Sequence, residues 1–181
     1  MPPQPTLETE RLILRPLGWD DFDALGALHA EVSFWWYPLK RAMTADETRR
    51  FIERTLERYE ADGVGLSAAV VKDTGDLAGW LGLAVPHFLP EILPAVEVGW
   101  RLGERYRGLG YATEGAAAAI RYGFEDLGLD RLVSIFEPAN VASGHVMAKL
   151  GFEFEREATV PASGESIHVL ELTKRAWVAA P

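Results

Sequence analysis

The chain has 181 residues, 48 % hydrophobic and 25 % charged, with 18 Lys and Arg against 27 Asp and Glu for a formal charge of −9. That length and apolar content suit one folded domain, and the negative balance disfavours a general grip on nucleic acid, which needs a positive surface. With no cysteine in the chain, a disulfide scaffold, a thiolate metal site and a cysteine nucleophile are all excluded.

Residues 1–10 read as a loose lead-in, with three prolines and no apolar run of signal-peptide length. Nowhere do 18 apolar residues run together, so no membrane span is expected and the cytoplasm is the default location. Leu12 and Leu14 alternate with Arg11, Ile13 and Arg15 as in a strand. Asp20 or Asp21 is placed to cap a helix with Phe22, Leu25, Leu28 and Val32 on its inner side. Pro38 breaks the chain, and Thr44 to Glu47 has the form of a capping box before a helix carrying Ile52, Leu56 and Tyr59. Leu66 to Lys72 and Leu77 to Val85 read as a hairpin, in which Gly79 and Gly82 allow a bulge or a close contact. A proline loop leads to a strand from Val96 to Leu102, then to an alanine-rich helix from Ala112 to Asp126 with Ile120, Phe124 and Leu127 on one face. Arg131 to Phe136 is a strand, a helix contains Val146, Met147 and Leu150, and Phe152 to Val160 and Ser166 to Thr173 are final strands. The order is β α α β β β α β α β β, an α/β (α+β) chain without repeat, linker or internal boundary.

The most informative segment is Arg105-Tyr106-Arg107-Gly108-Leu109-Gly110-Tyr111-Ala112, which follows a strand and opens a helix. Amides at a first helical turn have no partner within the helix and bind phosphate, and glycine lets the backbone approach a bulky anion. Arg105 and Arg107 are in place to add charge-assisted bonds. A dinucleotide fingerprint would need a third glycine where Thr113 stands, and no P-loop run exists. A flexible turn before a tightly packed helix is the alternative.

Four ordered matches carry a resemblance. Arg105, Gly108 and Gly110 fit the pattern Q/R-x-x-G-x-G/A, continued by Ala112 and Glu114. The others are Glu8 to Arg15, Glu97-Val98-Gly99-Trp100, and Pro138 to Ser143 followed by Lys149-Leu150-Gly151-Phe152. Together they resemble the GCN5-related N-acetyltransferase (GNAT) superfamily, in the group of the ribosomal-protein N-terminal acetyltransferases RimJ and RimL. The resemblance implies a single domain over residues 8–176, with a mixed, mostly antiparallel, splayed seven-stranded sheet flanked by about four helices.

It also implies acetyl-CoA as cosubstrate, with no metal. The pyrophosphate would sit on Arg105, Tyr106, Arg107, Gly108, Leu109, Gly110, Tyr111 and Ala112. The pantetheine arm would lie along Val98, Gly99 and Trp100, with Asn140, Ser143 and Lys149 nearby. An amine must lose a proton to attack, the carbonyl oxygen needs a donor, and the leaving thiolate is helped by a hydroxyl. Glu97 is the candidate proton acceptor, which partial burial would tune upward. The amide of Val98 or a neighbour is the candidate oxyanion donor. Ser143 is the candidate acid, because no tyrosine follows Phe136. Its other reading is a helix-start residue beside Asn140.

The run Phe34-Trp35-Trp36-Tyr37 and the loop with His87 and Phe88 are the expected acceptor walls, with local packing as the alternative. Glu91, Glu97 and the net charge favour a cationic amine. His29, His87, His145 and His168 have no metal-ligand spacing. The leading expectation is an enzyme acting on a protein or peptide N-terminus, as monomer or homodimer. A small-amine or antibiotic acetyltransferase is the first alternative, and a catalytically silent CoA-binding or protein-interaction module the second.

Overall fold

The computed structural model of the chain describes residues 5–35 and 37–179. Among them, eight strands form one sheet in the order β1-β2-β3-β4-β5-β6-β8-β7. The strands are β1 (Leu7–Glu8), β2 (Leu12–Pro16), β3 (Leu66–Val71), β4 (Leu77–Ala84), β5 (Glu97–Leu102), β6 (Arg131–Phe136), β7 (Glu153–Thr159) and β8 (Ser166–Thr173). The helices are α1 (Phe22–His29), α2 (Ala45–Ala61), α3 (Tyr111–Arg121), α4 (Val141–Lys149) and α5 (Lys174–Ala179). Seven strands and about four helices were expected. The eighth strand is β1, inside the supposed lead-in, where Leu7 pairs with Leu14. The additional helix is α5, whose Trp177 ring packs 5.3 Å from that of Phe124.

Local chemistry explains most of the boundaries. The Thr44 hydroxyl accepts from the Glu47 amide at 3.2 Å while the Glu47 carboxylate accepts from the Thr44 amide at 2.8 Å, so α2 begins where the capping box predicts. Tyr59 ends the apolar stripe of α2 and closes the helix onto the sheet: its hydroxyl accepts from the Leu17 amide at 2.9 Å and donates to the Leu66 carbonyl. Two inner-face assignments fail. Val32 lies beyond α1 and is 57 % exposed, and Leu127 is 37 % exposed past a π turn at Tyr122–Asp126 that rotates the helix out of register.

Neighbouring residues of a strand point to opposite faces, and this sets the layers. Trp80 of β4 stacks 5.8 Å from Phe51 of α2. Leu81 packs so closely on α3 that a Cβ at Gly115 would lie 2.4 Å from its Cδ2. Helices α1 and α2 therefore cover one face of the first half-sheet, and α3 covers the other.

Every strand pair is antiparallel except β5–β6, which is parallel and holds a single registered pair, Glu97 with Val133. Beyond it the two strands diverge, and the sheet opens as a wedge. Gly79 helps place β5 at that wedge. It sits at φ +151° beside a register shift, and a Cβ there would lie 2.1 Å from the Arg101 carbonyl oxygen. We predict that Gly79→Ala lowers stability by about 1–3 kcal/mol through forced backbone strain, measured by urea denaturation.

Candidate active site

The chain leaves β5 through a 3-10 turn, Glu104–Tyr106, and reaches α3 through Gly108 (φ 71°) and Gly110 (φ 88°). No side chain caps Gly110, and the space over Gly108 is clear. The one carboxylate in the first turn of α3, Glu114, is drawn away from the loop. It accepts from the Thr9 hydroxyl at 2.6 Å and from the amide and Nε of Arg11, both at 2.7 Å. Burial pushes the Glu114 carboxyl up, yet the bonds from Thr9 and Arg11 outweigh it and hold the group below the usual range. Arg11 also donates from Nη1 to the Leu109 carbonyl at 2.8 Å. The start of α3 is thus without a side-chain cap and its first-turn carboxylate is engaged elsewhere, which is compatible with an anion at that turn.

The wedge between β5 and β6 is a cavity of about 560 Å³. Phe136, Asn140, Ser143 and Met147 line one side, and Tyr37, Phe51, Arg54, Arg58 and Trp80 line the other. Glu97 lies between them, and burial raises its carboxyl to about 7 against the opposing pull of Arg101. A cavity holding a carboxylate, in a chain that also presents a glycine turn without a side-chain cap at the start of α3, suits group transfer from a nucleotide-tailed donor. The profile of the Acetyltransferase (GNAT) domain family matches residues 11–153.

The chain belongs to the GNAT acetyltransferase family. It is 32 % identical over 97 % of its length to the FsC-acetyl coenzyme A-N(2)-transacetylase of Aspergillus fumigatus, 79 % of which is covered. A crystal structure of an acetyltransferase from Agrobacterium tumefaciens superposes with a TM-score of 0.79 at 30 % identity, covering 94 % of this chain and 95 % of that one. A shorter match, 36 % identical over 34 % of this chain and 31 % of the relative, is to the ribosomal-protein-uS5 alanine N-acetyltransferase of Escherichia coli. This GNAT enzyme is an acetyl-CoA-dependent N-acetyltransferase, and among the described residues no group of His, Asp and Glu could hold a metal ion.

Several expected site residues have structural employment in this GNAT chain. Arg105 points outward to the Tyr106 hydroxyl and to Asp76 at 3.2 Å. Arg107 ties the loop to the Leu102 carbonyl at 2.9 Å and the Ser33 carbonyl at 2.8 Å. Tyr106 is buried, Tyr111 and Ala112 pack against the core, and Leu109 is exposed. Asn140 caps α4, accepting from the Ser143 amide at 3.2 Å, while Ser143 and Asn140 both reach the cavity. Lys149 is exposed at the end of α4 and does not line the cavity.

Val98 is fully buried against α3. The Val133 amide donates to the Val96 carbonyl at 2.9 Å. In a parallel ladder this sends the Val98 amide to Val133, so Trp100 has the first β5 amide beyond the pairing.

On the acceptor side, Tyr37, His87 and Phe88 line the cavity, with His87 paired to Asp62 at 2.9 Å. Trp35 does not line it; it is buried beneath the Arg101 guanidinium, 4.4 Å from the ring centre. Trp36 lies outside the described residues. Glu91 is exposed and away from the cavity. Sequence reasoning missed Arg101, the pair Arg54 and Arg58, and Ser134, whose hydroxyl donates to the Val98 carbonyl at 2.8 Å at the apex of the wedge. The available signals were spacings: Glu97 and Arg101 share parity on a strand, and Arg54 and Arg58 lie one helical turn apart.

Gly110→Glu tests the loop. Its φ excludes an ordinary side chain without strain, and a Cβ would meet Arg11 Nη2 at 3.1 Å. If the turn holds the diphosphate, CoA affinity by calorimetry should fall on the order of 100-fold or more, because a carboxylate would enter a phosphate position.

Proposed function

We propose that the chain, as one catalytic domain over residues 8–176, acetylates the primary amine of a compact acceptor by direct attack in a ternary complex. The size of the cavity carries this reading. The acceptor side is walled by Tyr37, Phe51, α2 and His87–Phe88, and a cavity of about 560 Å³ must hold both the acetyl-bearing arm and the acceptor. Such a volume suits a small molecule. A second reading, a protein N-terminus threaded in by its first residue, is favoured by the ribosomal-protein relative. A panel of small amines and short peptides, followed by release of free CoA, separates the two. Peptide kcat/KM exceeding that of every small amine would give the second reading precedence.

Acetyl-CoA supplies the thioester carbonyl and the thiolate leaving group. Glu97 takes the proton of the incoming ammonium, directly or through one water. With its carboxyl near 7 it is a stronger base than an ordinary glutamate and still half ionised at neutral pH. The Trp100 amide, unpaired beyond the β5–β6 bridge, is the donor for charge gathering on the carbonyl oxygen. The Ser143 hydroxyl, at the opposite wall, is the donor to the departing sulfur. Gly99 leaves the strand surface bare beside Glu97; a Cβ there would lie 3.7 Å from the carboxylate.

For the wild type, kcat/KM should rise with pH along a limb centred near 7. Glu97→Gln should remove that limb and cut turnover by about 100-fold or more, with CoA affinity retained. Stability should move the other way. The folded Glu97 carboxyl titrates near 7 and the unfolded one near 4.5, so the contribution of Glu97 to stability is full below 4.5 and is lost as pH rises through 7. Glu97→Gln should therefore match the wild-type melting temperature at pH 4 and exceed it at pH 8, in thermal scans at both.

A further inference from the structure

We infer that the acceptor carries a carboxylate as well as its amine, and that Arg101 holds this carboxylate while the amine lies at Glu97. The inference rests on the acetyl-transfer reading of the cavity and specifies its substrate class.

Glu97 and Arg101 have the same parity on β5, so both face α2, and both line the cavity. Four strand residues separate their Cα atoms by roughly 13 Å, and between them stands Gly99. The guanidinium is fixed from behind. Its Nη1 donates to the Phe34 carbonyl at 2.5 Å and the Tyr37 carbonyl at 2.8 Å, and its plane lies 4.4 Å from the Trp35 ring centre and 5.5 Å from that of Trp80. Carbonyls and rings orient a cation without neutralising it.

The buried Nε has no partner, and among the described residues no carboxylate lies within ion-pair distance of Arg101. A largely buried guanidinium without a paired carboxylate is costly, and burial together with Arg107 pulls its pKa down to about 10 against the opposing pull of Tyr37 and Glu97. A guanidinium matches a carboxylate in shape and charge, and Arg101 lines the cavity.

The surrounding charges agree. The whole chain carries −9, yet its cavity is lined by Arg54, Arg58 and Arg101 against Glu97 and Glu137. Asp62, the nearby acid, is engaged by Arg58 at 3.4 Å and His87 at 2.9 Å. With Arg58 paired to Asp62, Arg54 and Arg101 stand with Glu97 and Glu137 in the walls, which therefore offer positive as well as negative partners, and the cationic amine expected from Glu91, Glu97 and the net charge is extended to a zwitterion. The carboxylate has two sources: the free acid group of an amino acid, or an acidic side chain beside a peptide N-terminus.

The test compares matched acceptors differing only in acid against amide, both as free amino acids with their amides and as short peptides with Glu against Gln near the N-terminus. The wild-type enzyme should favour the acid by at least about tenfold in kcat/KM in one series, and that series identifies the source. In Arg101→Gln the acid-to-amide ratio should approach one, and Arg101→Lys should retain part of it. A purely structural role for Arg101 would lower both rates and leave the ratio unchanged. Should the variants fail to fold, the wild-type ratios decide, together with competition by the deaminated acid against its amide. Turnover indifferent to the acid in both series overturns the inference and leaves the acetyl-transfer reading standing. CoA release with no amine of any kind would instead count against that reading.

Discussion

The site depends on a backbone event, the single parallel pair between Glu97 and Val133. A sheet that continued pairing past it would have no cavity. Divergence leaves β5 and β6 with facing amides and carbonyls that have no ladder partner, along a half-buried cavity wall. Buried groups of that kind are costly unless something satisfies them. A linear, amide-rich arm laid along β5 would meet that demand, as the proposed placement of the cosubstrate requires. Ser134 limits how far the wedge runs, since its hydroxyl spans from β6 to the Val98 carbonyl.

The two ends of the wedge handle charge differently. At the glycine loop the chain keeps its own acid away: Glu114, in the first turn of α3, is occupied by Thr9 and Arg11 of the β1–β2 edge. The same Arg11 braces the loop through Leu109. Within the wedge, water is scarce and charges are felt strongly. Burial there raises the Glu97 carboxyl and lowers the Arg101 guanidinium, each toward a state in which it can exchange a proton or accept a counter-ion.

The aromatic residues show how packing supports this polarity. Phe34, Trp35, Phe51 and Trp80 form a cluster with His29, whose ring burial pulls it down to about 4 and keeps it neutral. The cluster gives Arg101 a flat apolar bed and, through the Phe34 and Tyr37 carbonyls, a fixed orientation. Trp35 is therefore better understood as part of the support of the acceptor wall than as its surface.

Much of the protein was legible in its residues. Period-two and period-3.6 patterns, the Thr44–Glu47 box and the glycines at 108 and 110 specify nearly every element, because each depends on neighbours a few positions away. Glu97 stood out for the same reason, through the local E-V-G-W run. Short edges escaped: β1 is two residues that become a strand only by pairing with β2, and α5 is set by Trp177 meeting Phe124. What only the tertiary structure decided was the company each residue keeps. That no carboxylate pairs with Arg101, that Glu114 serves Arg11, and that Trp35 lies beneath a guanidinium depend on contacts across 66 to 103 positions. Charge and burial are properties of a place in space, and a chain acquires that place only when its distant segments meet.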